Sequence, residues 1–354
     1  MKTVFILLLP LAFVLSQIRI PGPGGSNGPQ RVILSTDAGN DVDDALAIGI
    51  AFYQQKIGAI RIVALISTTT IDATPAFLNT VEAYGGYTTA QIPIGAYQGS
   101  SMPPVGNIPS YCSIGDNYSA STVAALGLVP NVSRFTFPLD VTVLRKQLNA
   151  DPSGVDDIVT IGPLTSVAQF MTSPSNANGD GIMLTGAQLF AKARRVVIGA
   201  GGYPNGADGY NLSCDITSAD YVFGNAGSVP IVGLDYSWQS GVDVGADYGT
   251  SLPHSSPIST AMYYFAGGSW SGGGRTAWDP STLFYEAAVG NTPQAGGAYF
   301  TLSANGLITV GSGNPVTTIW SSSPLAGMYY IEPARSGADL TTGMNALIYA
   351  NFIQ

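Results

Sequence analysis

Short runs of β-branched and aliphatic residues recur along the chain with helix-length stretches between them, and this alternation constrains the fold more than any other feature. Residues 31–34, 62–66, 158–161, 196–198 and 231–234 read as strands. The runs are continuously apolar, not alternating, as expected of strands covered on both faces of a parallel sheet. The intervening segments 43–55, 75–84, 142–148, 164–171 and 218–225 have the length and composition of helices. An α/β fold follows, with a mostly parallel, doubly wound (Rossmann-like) sheet flanked by helices. Such sheets bind ligands outside the carboxyl ends of their strands, so a site is expected in the loops leaving those ends. Residues 307–310 and 317–320 predict a closing hairpin, and the Gly/Ser-rich stretches 267–274 and 291–297 read as surface loops.

The loop after the first strand is unusual. Asp37, Asp41, Asp43 and Asp44 place four acids within eight residues. Such crowding is unfavourable unless a cation or hydrogen-bond donors offset it. Calcium suits the donors, because it takes six to eight hard oxygens and the chain has one histidine and two cysteines. The spacing is not that of an EF-hand, which needs a Glu at its twelfth position. A simpler reading gives Asp43 and Asp44 the role of favouring a helix N-terminus, which accounts for one or two of the acids but not four.

Composition narrows the partners. Charged residues make up only 10% of the chain against a usual quarter, the formal charge is -9, and Lys and Arg form no cluster. A phosphate backbone would find no basic surface, so nucleic acid polymers are not expected partners. Lys2 followed by an apolar run over residues 4–15 and small residues near Ser16 predicts a signal peptide over residues 1–16, a flexible leader over 17–30 and one domain over 31–354. The apolar run is shorter than the ~20 residues of a membrane span, so the expectation is a secreted, extracellular protein with no membrane attachment after processing. Asn117, Asn131 and Asn211 each open a glycosylation sequon. Cys112 and Cys214 either pair in an oxidising compartment or remain separate buried thiols, and both readings stand. Zinc is not indicated, since His254 is the only histidine.

The stretch from Asp37 through Asp44 to Ala47 resembles the N-terminal motif of the nucleoside hydrolases, in a longer version with two extra residues before the Asp pair. Three further segments are similar to that family's in order and character: 160–168, the strip from Tyr210 to Phe223, and Trp278-Asp279-Pro280. The resemblance implies a calcium-dependent N-ribohydrolase that cuts ribonucleosides to base and ribose. It implies that Asp37, Asp44, Asp279 and the backbone carbonyl of Ile161 hold Ca2+, with Asp37 also the catalytic base for a metal-bound water. It further implies that Asp43, Asn211 and Asp279 bind the ribose and that Trp278 stacks on the base, as in purine-preferring members. The partner is then a small nucleoside, and assembly into a homo-oligomer is compatible with the sequence.

The chain departs from the family at several points. Gly209 stands where a Glu is common, Ser35 where many members carry Asp, and the histidines of pyrimidine-preferring members have no counterpart. Leaving-group protonation is therefore unassigned, and a calcium- and ribose-binding secreted protein without turnover is the competing reading. Asn211 cannot both carry a glycan and face a ribose, and the ribose role is the expectation here. Residues 196–204 mimic the start of a dinucleotide fingerprint, but Pro204 and Gly206 interrupt the helix that would have to follow, so the segment reads as a substrate-pocket loop. A Ser-His-Asp triad would need His254, which reads as a surface residue.

Overall fold

A computed structural model describes residues 29–99, 106–108, 112, 115–151, 156–208, 210–235, 237–289, 299–313, 315–323, 326–350 and 352. The segments expected to be a signal peptide and a leader, up to residue 28, the Gly/Ser-rich stretch 291–297 and Gly209 lie outside them. Strands β1 (Gln30–Thr36), β2 (Ile60–Ser67), β3 (Ile94–Ala96), β4 (Asp156–Thr160), β5 (Arg195–Ile198), β6 (Asn205–Asp208) and β7 (Ile231–Leu234) are followed by a short pair, β8 (Asp243–Val244) and β9 (Arg275–Thr276). Four more complete the set: β10 (Phe300–Leu302), β11 (Gly306–Val310), β12 (Val316–Ser322) and β13 (Met328–Pro333). The main sheet has the order β3-β2-β1-β4-β5-β7-β13-β11-β12-β6, with β10 on β13.

From β3 to β13 every pairing along this order is parallel. Successive residues of a strand point to opposite faces, and the chain uses this to build two cores. Val32, Leu34, Val159 and Val197 enter one core, whereas Ile33, Ile158, Val196 and Ile198 enter the other. The first is covered by α1 (Asp43–Lys56), α2 (Thr74–Tyr84) and α3 (Ser119–Leu126). On the opposite face lie α4 (Asp140–Ala150), α5 (Thr165–Thr172), α6 (Gly186–Phe190), α7 (Asn211–Cys214) and α8 (Ile216–Gly224). Helices α9 (Pro257–Phe265), α10 (Trp278–Val289) and α11 (Gly337–Ile348) return to the first face. Every expected strand and helix is present within a few residues of its bounds.

The predicted hairpin exists as β11 and β12, yet it does more than close the chain. It pairs antiparallel between β13 and the edge strand β6, extending the parallel sheet with an antiparallel end. The expected pocket loop over residues 199–204 is largely consumed by this extension. Gly202 accepts from and donates to the Thr318 hydroxyl and bridges to Gly206, so the segment turns into β6 and takes no place in the pocket lining. Among the described residues no helix is long and apolar enough to cross a membrane.

Glu82 on α2 is fully buried, and neither carboxylate oxygen has a hydrogen-bond partner among the described residues. Burial pushes its carboxyl up to about 8. A raised folded value means the folded state holds the proton more tightly. Its contribution to stability is therefore complete only below pH 4.5, the ordinary value, and is lost as pH rises toward 8. Glu82→Gln is isosteric and does not ionise. The melting temperature of the variant relative to wild type is expected to climb steadily from pH 5 to pH 8.5, by an amount corresponding to a few kcal/mol, roughly 1.4 kcal/mol for each tenfold gain in proton affinity on folding. A difference independent of pH would show that Glu82 is not a neutral buried acid.

Candidate active site

The site begins where β1 ends. Gly39 takes a φ of 126°, which a side chain would resist, and its N–H donates to the Tyr118 hydroxyl at 2.8 Å. The Thr74 hydroxyl donates to the carbonyl of Ala38. So fastened, the loop enters α1 with Asp43 and Asp44 in the first helical turn. Helix α10 packs along α1 and carries Asp279 in its own first turn. The N–H of Asp279 donates to Asp43 Oδ2 at 3.2 Å, so two helix N-termini meet at the acids. Their partial positive charges favour carboxylates there, but only in part.

Ligand atoms of Asp43, Asp44 and Asp279 lie within 4.8 Å of one another, and all three residues are buried. Asp44 also accepts from the Thr36 hydroxyl. Asp37 is buried in the same pocket and close to the backbone after β4. A Cβ on Gly162 would lie 2.7 Å from Asp37 Oδ1, so only glycine permits this approach. Burial, followed by the charge of neighbouring acids, holds Asp44 and Asp279 well above the usual carboxylate range, and Asp43 likewise. Burial, opposed by a backbone hydrogen bond and reinforced by the charge of Asp41, pushes Asp37 up to about 7. Without a cation, the cluster cannot hold its full charge. Its donors are hard oxygens on a fixed frame, and they fit calcium better than any thiolate- or imidazole-seeking metal.

The opposite wall comes from α7. Asn211 is buried, and its Nδ2 donates to the carbonyls of Ile161 and Gly199 at 3.2 and 3.1 Å. Those two bonds occupy the atom a glycan would join, so the sequon at Asn211 is spent on the fold. Asn131, by contrast, is exposed, and Asn117 is exposed with its Nδ2 donating to the carbonyl of Asn40 at 2.7 Å. Asp208 does not take the place of a Glu at 209. Its buried carboxylate accepts the backbone N–H groups of Gly201, Tyr210, Leu212 and Ser213, between 2.8 and 3.3 Å, and these bonds anchor the start of α7. Cys112 and Cys214 are joined by a disulfide with a Cα–Cα separation of 5.6 Å, which decides between the two readings of the cysteines.

Asp37, Asn40, Asp41, Asp43, Asp44, Tyr210, Asn211, Trp278 and Asp279 line one cavity of about 290 Å³, near the lower end for small-molecule sites. Every side chain expected to bind metal, ribose or base is in this group, and the backbone of Ile161 reaches it through Asn211. The sequence alone assigned no role to Asn40, Asp41 or Arg275. Arg275 Nε donates to Asp41 Oδ1 at 2.7 Å, and the guanidinium lies 5.0 Å from the Trp278 ring centre and 5.6 Å from that of Phe265. The acidic loop could have flagged Asn40 and Asp41, because both lie within it. Nothing local could have flagged Arg275. His254 is exposed and stacked on Trp270 at 3.6 Å, as expected of a surface histidine.

Fold and cavity together define an α/β protein with a carboxylate-rich small-molecule site at the carboxyl ends of parallel strands. The chain belongs to the inosine-uridine preferring nucleoside hydrolase family, whose model matches residues 32–292. Solved structures agree in fold. A plant nucleoside hydrolase has a TM-score of 0.59 at 19% identity, covering 91% of this chain and 100% of its own. An inosine-guanosine nucleoside hydrolase has a TM-score of 0.60 at 17% identity, covering 90% and 98%. The type III effector protein XopQ, complexed with adenosine diphosphate ribose, has a TM-score of 0.60 at 14% identity, covering 96% and 97%. A search of curated protein sequences finds no match.

Proposed function

We propose that this chain is a secreted, calcium-dependent N-ribohydrolase that cleaves the bond between base and ribose in nucleosides. The observation that carries this reading is the convergence of Asp37, Asp43, Asp44, Asp279, Asn211 and Trp278, drawn from separate stretches of sequence, on one nucleoside-sized cavity. Asp37, Asp44, Asp279 and the Ile161 carbonyl would hold the cation. When bound, calcium lowers the pKa of a water and orients the ribose hydroxyls.

The chain's own residues account for the rest. Asp37, held by the close approach of Gly162, accepts the proton of the attacking water. Asp43 and Asn211 bind the ribose hydroxyls from opposite walls. Loss of the base leaves positive charge on the sugar, and the surrounding carboxylates stabilise it, as in glycosidases. Trp278, backed by Arg275, offers an aromatic face for a purine. A second reading, a ribosyl-binding protein without turnover, takes only its ligand class from the XopQ complex with adenosine diphosphate ribose. Five carboxylates in the cavity oppose a ligand carrying a diphosphate, so this reading would require a neutral ribosyl ligand.

Ribose release from inosine, adenosine, guanosine, uridine and cytidine, measured with calcium and after chelation, tests the proposal. Calcium-dependent release, fastest from purine nucleosides, is expected. No release from any of the five, with calcium bound, would overturn it in favour of the binding protein.

A further inference from the structure

The wall that carries Asn211 is a single turn of helix. Four residues cannot hold a helical conformation alone, so the position of α7 must be imposed from outside. Asp208 fixes its start through the backbone bonds described above. At its end, the Thr165 hydroxyl donates to Asp215 Oδ2 at 2.6 Å, and Asp215 caps α8 by accepting the N–H of Ser218 at 3.0 Å. Neither contact reaches the side chain of Tyr210, which lines the cavity from the residue before α7.

Tyr210 is held on the side of Cys112. Its hydroxyl donates to the Cys112 carbonyl at 2.6 Å and accepts from Asn40 Nδ2 at 3.3 Å. Cys112 is in turn joined covalently to Cys214, the last residue of α7, and Cys214 N–H donates to the Tyr210 carbonyl at 2.8 Å. A closed circuit results: Tyr210 side chain, Cys112 backbone, disulfide, Cys214 backbone, Tyr210 backbone. Tyr97 and Ile108 pack around the buried crosslink, and none of the cation-binding acids belongs to the circuit.

We infer that the Cys112–Cys214 disulfide is a positioning crosslink for substrate: it sets the Tyr210 ring, and with it the Asn211 wall, at the distance a nucleoside needs, while leaving the cation site independent. The inference rests on the nucleoside-pocket reading above. It also gives the two cysteines a role beyond stability, and it ties full substrate affinity to an oxidising compartment.

The test is a double-mutant cycle between the crosslink and the Tyr210 hydroxyl, read in KM, kcat and calcium half-saturation. Cys112→Ala/Cys214→Ala is expected to raise KM about tenfold, as losing a well-aligned contact would. Its kcat and calcium half-saturation should stay within about threefold of wild type. Tyr210→Phe, which keeps the ring and the disulfide, should raise KM in the same direction but add little in the crosslink-free background, because both changes open one circuit. If the crosslink-free protein does not fold, a raised KM with unchanged calcium half-saturation in Tyr210→Phe alone supports the inference, and an unchanged KM overturns it. An unchanged KM in the crosslink-free protein, KM effects that simply multiply, or calcium affinity lost in step with KM would each overturn it too. Wild type is assayed first. If it releases no ribose, the proposed function fails, and the same comparisons are made on ribose affinity by calorimetry, where equal affinities overturn the inference.

Discussion

Asp37→Asn is expected to lower turnover by about a thousandfold, inside the 10²–10⁴ range that a positioned proton acceptor supplies. Asn is close to isosteric and keeps one oxygen toward the cation, but its amide cannot take a proton from water. Asp44, Asp279 and the Ile161 carbonyl remain in place, with Asp43 still adding negative charge beside them, so calcium binding should largely survive. The variant therefore separates two roles that the family resemblance gives to one residue. Steady-state hydrolysis and calcium titration of the same preparation make the check. Unchanged turnover would remove Asp37 as the base, and parallel loss of calcium would make it a ligand before anything else.

Calcium should also stabilise the folded chain, because the acids it would join are buried and crowd one another. A ligand at a hundred times its Kd contributes about 2.7 kcal/mol, which for a domain of this size raises the melting temperature by roughly 5 °C. Asp44→Asn sharpens the prediction into a reversal of sign. In chelator the variant should melt above wild type, since it removes one buried like charge and its amide oxygen can still accept from the Thr36 hydroxyl. In calcium it should melt below wild type, because a neutral amide oxygen binds a divalent cation more weakly than the carboxylate it replaces. Scanning calorimetry of both proteins in both conditions decides the matter. A wild type indifferent to calcium, or a variant that parallels wild type throughout, would rule the cation out of the site.

The competing reading of a binding protein without turnover leaned on Gly209, which lies outside the described residues, and on missing histidines. The structure changes the weight of a neighbouring clue. Asp208, the nearest carboxylate to that position in the chain, is fully committed to backbone N–H groups and holds up α7 in place of contacting a ligand. Under the proposed function, the ribose contacts would fall to Asp43, Asn211, Asp279 and the cation.

What the sequence by itself determined is whatever has a local physical cause. Strands buried on both faces must be apolar throughout, so β1, β2, β4, β5 and β7 were legible, and so were the helices between them. Four acids in eight residues announce a site because like charges repel wherever the chain goes. What only the tertiary structure decided depends on contacts between distant segments. Residues 112 and 214 are joined across a separation of 102, a pairing that no spacing could specify. Arg275 reaches Asp41 from 234 residues away, and β6 gains its identity as a strand from β12, since its own residues Asn205 to Asp208 are polar and small. Asn211 faced two incompatible fates in the sequence. Its burial against the carbonyls of Ile161 and Gly199 argues against the first, the glycan, because an amide nitrogen bonded to two buried carbonyls has no room for one, and leaves the ribose role to the proposed function.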